Sequence, residues 1–275
     1  MSRDVCKLTR VRGKFVKSHL IPKALTRPEE PGLPLIQRGS GRRPSVRWDS
    51  WYDRRLVIRA GEDILARYDD WAIRELRRHK LIWSGWGPSL VFPGEHTNFP
   101  NTPWGIAKIS DIDGLQLRLF FLSLLWRAAA TDIPDFSEIS MPDDDLEKLR
   151  LMVLNRDPGD ISFYPASLTL LSTVGPKHNF SPIAMTKTIP AIGDYKGATV
   201  PIFRFYFEGL VIHMHRQSVD AGETKARGAQ VVGNENEIVF STVKFEGSWQ
   251  LENMRYIKAE SLADERLPYT ETWKY

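Results

Sequence analysis

The run "LFFLSLLW", Leu119 to Trp126, constrains this fold more than any other stretch. It is eight residues long and bounded by Arg118 and Arg127, whereas a bilayer takes ~20 apolar residues. It must therefore be buried inside protein. The surrounding "DGLQLRLFFLSLLWRAAAT" predicts a helix that is apolar on nearly every side. Such a helix needs other elements packed around it, and 275 residues suffice for one large domain or two small ones.

The partners are visible in the hydrophobic period. "EDILARYDDWAIRELRRHKLIW" from Glu62 places Ile64, Leu65, Tyr68, Trp71, Ala72, Leu76 and Leu81 near helical spacing. Its acids come early and Arg77 and Arg78 late, as the helix dipole prefers. "MPDDDLEKLRLMVLN" predicts another helix, capped by Asp143 or Asp144 and stopped at Asp157-Pro158-Gly159. After Ile161, "VPIFRFYFEGLVIHMHRQ" and "NEIVFSTVKFEG" alternate with period two and predict strands. The class is α+β. Residues 1–83 read as a basic ββα unit, in which a hairpin from "RGKFVKSHLI" and "RRLVIRA" feeds the first helix. Residues 84–110, rich in Gly, Pro and Asn, read as a linker or loop. Residues 111–275 read as an α+β domain with C-terminal antiparallel strands.

Charge separates these regions. The first 60 residues carry 15 Lys and Arg against 5 Asp and Glu, so the net +4 of the chain resolves into +10 there and −6 in the remainder. This block has the form of a phosphate-backbone footprint, carried by Arg10, Arg12, Lys14, Lys17, Lys23, Arg42, Arg43 and Arg47. The acidic remainder suits contact with a protein or small ligand. Cys6 is the single cysteine, which excludes an intrachain disulfide and fits a reducing cytoplasm. "MSRDVCKLTRVRGKF" has no apolar signal-type segment, and the expected location is cytoplasmic with no membrane partner. In "RWDSWYDRR", Trp48, Trp51 and Tyr52 suit either a core or a base-stacking surface, the core being the favoured reading. His213 and His215 in "VIHMHR" share a strand face, but no acid or cysteine accompanies them, so they read as polar surface.

The order Cys6, "SHLIP", "LVIRAGEDILARYDDWA", "FFLSLLWRAAA" resembles a bacterial HNH-like endonuclease-related family. That family's pattern is a CxxC pair, an "SHIIP" segment, a second CxxC running into "CE" and a helix, and a downstream "LWR" helix. The likeness extends through "FSPIAM" and "FYFEGLVIHM". It implies a ββα-metal, treble-clef unit. By that resemblance His19 is the general base of phosphodiester hydrolysis, Glu62 a metal ligand, and Asp69 or Asp70 its support, with Mg²⁺ or Mn²⁺ as cofactor. It also implies DNA in preference to RNA as partner and a role in phage or mobile-element defence. Against the same pattern, Thr9, Ile58 and Gly61 stand where three of four zinc thiolates belong, so a structural zinc is not expected. The alternative is a catalytically inactive scaffold that binds nucleic acid or a protein without cleavage.

Overall fold

The computed structural model describes residues 5–28, 35–38, 45–189 and 196–262. In chain order, β1 (Ser18–His19), β2 (Leu35–Arg38), β3 (Ser45–Arg47) and β4 (Tyr52–Asp53) precede the long helix α1 (Arg59–Arg78). β1 and β4 pair antiparallel, Ser18 against Asp53 and His19 against Tyr52. Below them the chains stay in contact: Val16 N–H donates to the Val57 carbonyl at 3.1 Å, and Phe15 bridges Ile58. A short β-pair therefore runs directly into α1, whose buried stripe of Leu65, Tyr68, Ala72 and Leu76 follows the helical period of the sequence.

Residues 84–110 are more than a linker. They supply β5 (His96–Asn98) and β6 (Trp104–Ile109), which form one edge of the main sheet. Then come α2 (Gly114–Ala130), capped by the Asp113 carboxylate accepting from Gln116 N–H at 2.9 Å, and α3 (Asp143–Asn155). The N-cap of α3 is Pro142; Asp143, Asp144 and Asp145 occupy its first turn and act on the dipole instead of capping.

The remaining elements are β7 (Ala166–Leu171), β8 (Asn179–Phe180), β9 (Ile183–Ile189), β10 (Ala198–Phe207), β11 (Leu210–His215), α4 (Ala221–Ala226), β12 (Ile238–Val243) and α5 (Trp249–Leu262). The seven-stranded sheet has the order β5-β6-β12-β7-β11-β10-β9, and β12 with β7 is its parallel pair. β10 and β11 form a two-residue hairpin through Glu208 and Gly209, with φ of 43° and 82°. Glycine is required there, since a Cβ on Gly209 would fall 2.2 Å from the Trp83 indole nitrogen. β3, β2 and β8 form a separate three-stranded sheet. The protein is α+β.

From Leu117 to Ala128 α2 is buried on all sides, as its composition demands, and it packs against both α1 and α3. The two arginines that bound its apolar run are also inside. Arg118 is fully buried and donates to the carbonyls of Pro158, Asp160 and Phe163 at 3.0, 2.7 and 2.6 Å. Arg127, 1% exposed, pairs with Asp69 of α1. The basic N-terminal unit shares the core instead of forming a lobe of its own. Lys7 donates to the Ala130 carbonyl at 2.6 Å, Tyr68 to that of Val153 at 2.6 Å, and Arg150 to that of Leu8 at 2.5 Å. Among the described residues no helix is long and apolar enough to cross a membrane.

Candidate nucleic-acid interface around His19

The N-terminal segment forms a tight turn. Val5 bridges Arg12, Arg10 N–H donates to the Cys6 carbonyl at 3.0 Å, and Thr9 N–H points at the Cys6 sulfur at 3.4 Å. Arg10 closes the turn with a φ of 60°. Cys6 and Gly61 do converge: a Cβ on Gly61 would lie 3.1 Å from the Cys6 sulfur and 2.9 Å from Val57 Cβ. Carbon fills this junction, with Cys6, Leu8, Leu56 and Val57 all fully buried. One sulfur among the four knuckle positions, surrounded by aliphatic side chains, fits packing and does not fit zinc coordination.

His19 leaves β1 half-buried, and its Nε2 lies 3.3 Å from Asp49 Oδ1. Asp49 is the hub of the surface. Lys17 donates to its other oxygen, Lys23 Nζ stands 3.7 Å away, and Ser50 N–H donates to it at 3.1 Å. Burial resists its ionisation, but the hydrogen bonds from Lys17 and His19 and the charges of Lys17 and Lys23 prevail, lowering its pKa to about 2. An ionised Asp49 can only accept, so a neutral His19 donates from Nε2 and keeps its lone pair on Nδ1.

The aromatics divide. Trp51 is core, its indole N–H donating to Asp135 at 3.0 Å and its ring set edge-on to Phe136. Trp48, next to Asp49, is 68% exposed, and Tyr52 borders the His19 ring. Lys17 Nζ lies 4.1 Å over the Tyr52 ring, with the Arg54 guanidinium 5.5 Å from it. An exposed aromatic pair among cations is the arrangement that single-stranded or unstacked bases occupy.

The main chain of His19 is held from behind. Leu20 N–H donates to the Trp51 carbonyl at 3.0 Å, and Arg127 donates to the His19 carbonyl at 3.3 Å. The same guanidinium grips both Asp69 oxygens, at 3.0 and 2.5 Å. Asp69 is thus committed to an ion pair and is not free to ligate a metal. Asp70, its neighbour, is exposed. Glu62 lies at the other end of the β-pair, one helical turn past Ile58, the partner of Phe15. Glu62 Oε2 is buried with no hydrogen-bond partner. Among the described residues no three His, Cys, Asp or Glu side chains are grouped to hold a metal ion. His19 is thus met by Asp49, and Asp69 by Arg127.

Of the basic residues, Lys17 and Lys23 flank His19, and Arg12 and Lys14 are exposed on the preceding segment. Arg10 is diverted, donating to Glu147 of α3 at 2.9 Å. Arg42 and Arg43 lie outside the described residues, as does the side chain of Arg47 in β3. Sequence reasoning missed Asp49 entirely. Its signal was an acid between two tryptophans inside an otherwise basic block. No family model, curated protein or solved structure matches this chain.

Proposed function

We propose that this protein binds nucleic acid through the surface around His19, on an HNH-like scaffold used for recognition. One observation carries the reading: Lys17, Lys23, His19, Tyr52 and the exposed Trp48 gather around Asp49, while Asp69 of α1 is consumed by Arg127. A phosphate arriving at this surface exchanges with the Asp49 carboxylate for the two lysines, and a base stacks on Trp48 or Tyr52. DNA is the preferred partner in this reading, and phage or mobile-element defence is the setting that the resemblance suggests.

A second reading, phosphodiester hydrolysis, is favoured by the Asp49–His19 contact. It leaves Nδ1 as a proton acceptor beside bound phosphate. Among the described residues no three His, Cys, Asp or Glu side chains are grouped as metal ligands. Supercoiled plasmid with Mg²⁺ or Mn²⁺ separates the two readings. Binding without nicking by both the parent and His19→Ala supports recognition. Metal-dependent nicking that disappears in His19→Ala replaces it with hydrolysis.

A further inference from the structure

A cavity of about 490 Å³ opens on the other half of the molecule. Its floor is one face of β9, β10 and β11, and its roof is α4 with the turn that follows it. Lys187 on β9 and Arg227 after α4 both line it, and their partners are unusual. Lys187 Nζ meets His213 Nδ1 at 3.4 Å, and Arg227 Nη1 meets His215 Nε2 at 2.8 Å. Lysine and arginine can only donate, so each histidine accepts at that nitrogen, is neutral, and carries its proton on the other.

This settles what the histidine pair does. Both imidazole lone pairs that face the cations are already used, and two positive charges stand beside them, so a metal cation is disfavoured here. The cavity instead presents donors. Among the described residues no carboxylate lies within 4.0 Å of Lys187 or Arg227. Among the described residues Glu223 is the single acidic side chain in the lining, at its exposed rim. A third cation, Arg204, sits opposite His213 in the strand ladder, held by Gln250 at 3.0 Å and stacked over Trp249. Desolvation, joined by the neighbouring cations, lowers the pKa of Lys187, drives that of His213 well below the usual histidine value and brings that of His215 to about 4. The potential in the cavity is positive, and among the described residues two of its sources lack a counter-charge.

Most of the remaining wall is aliphatic, with Ile189, Val200, Ile202 and Val231, beside the polar Ser167 and Gln230. Ligand cavities of this kind combine an apolar wall with a few convergent polar groups, in a volume of about 300–1,000 Å³. We infer that this cavity binds a small phosphomonoester with an apolar or aromatic body, its phosphate held by Lys187 and Arg227 and its body against the aliphatic wall. A phosphomonoester dianion matches two cations in charge, and a guanidinium holds its oxygens by paired hydrogen bonds. The site lies outside the basic N-terminal unit, so this inference stands independently of the nucleic-acid reading.

Isothermal titration calorimetry of the full chain with phenyl phosphate, 5′-AMP, inorganic phosphate and adenosine tests it. Both phosphomonoesters are expected to bind, each more tightly than inorganic phosphate, with adenosine inert. Lys187→Gln and Arg227→Gln should each weaken binding about tenfold or more. Glu223→Gln, on the exposed rim, should tighten it. Arg227 is only half-buried, so its variant folds even where Lys187→Gln fails to. Absence of binding by both esters, equal affinity for adenosine, or unaltered affinity in Arg227→Gln would overturn the proposal. Inorganic phosphate binding as tightly as the esters would remove the apolar part of the ligand.

Discussion

Arg127→Met cuts the link between the core helix and the His19 surface. The parent guanidinium is 1% exposed and makes two bonds to Asp69, one to Ser123 Oγ at 3.2 Å and one to the His19 carbonyl. Methionine fills much of the volume but strands the Asp69 carboxylate, whose side chain is 19% exposed. Breaking a buried pair by removing one partner costs about 3–5 kcal/mol, and the residual exposure of Asp69 places this case near the lower end, about 3 kcal/mol. At about 2–4 °C per kcal/mol for a chain of this size, the melting temperature should fall by roughly 6–12 °C. Removing the stranded charge as well, in Asp69→Leu/Arg127→Met, should recover most of the loss. Differential scanning calorimetry of the parent, single and double variants reads all of this. A single variant melting within about 2 °C of the parent, or a double variant no better than the single, would show that the pair is not the buried fixture described here.

Three further outcomes follow from particular contacts. Trp48→Ala, at a side chain 68% exposed, should leave the melting temperature unchanged but cost about 1–3 kcal/mol of single-stranded DNA affinity by fluorescence anisotropy; unchanged affinity would remove Trp48 from the interface. Gly61→Ala raises helix propensity by up to about 1 kcal/mol. Its Cβ would nonetheless fall 2.9 Å from Val57 and 3.1 Å from Cys6, so thermal melting should show net destabilisation, and a rise in stability would contradict the packed knuckle. Glu147 has its pKa lowered from 4.5 to about 2, chiefly by the Arg150 hydrogen bond with Arg10 assisting. A depressed carboxylate pKa stabilises the fold above pH 4.5, and the benefit is lost as pH falls through about 2. At 45% exposure this amounts to less than about 1 kcal/mol. The gap between parent and Glu147→Gln in urea denaturation should therefore close on acidification, and a gap independent of pH would refute the assignment.

The elements that could be read from sequence were those whose burial follows a period. α1 shows its stripe, α2 its continuous apolar character, and β12 part of its alternation, while β10 is buried on both faces from Ile202 to Phe207 and was read from its apolar, aromatic run. β6 escaped notice because its alternation is inverted. Gly105 and Ala107 face inward while Trp104 and Ile106 are exposed, so a hydrophobicity pattern points the wrong way. Small residues are required there, since a Cβ on Gly105 would fall 2.5 Å from the Thr97 carbonyl of the neighbouring β5. Composition marks turns and not contacts, so Arg150 on α3 reaching the Leu8 carbonyl is invisible to it. At the site, His19 and its lysines were legible as a basic cluster. The choice among Asp49, Glu62 and Asp69 was not, because β-pair register and the α1–α2 packing decide which carboxylate meets which cation. The "SHLIP" likeness pointed to Glu62, whereas the carboxylate that meets His19 is Asp49.

The central claim is that phosphate replaces Asp49 on Lys17 and Lys23. The salt dependence of DNA affinity tests it most directly, by fluorescence anisotropy from about 50 to 200 mM salt. For the parent, log Kd should rise linearly with log salt concentration. Lys17→Gln and Lys23→Gln should each flatten the slope by about 0.7–0.9, one phosphate contact apiece. A parent that does not bind, or lysine variants that keep the parent slope, would place any phosphate contacts elsewhere and contradict the account.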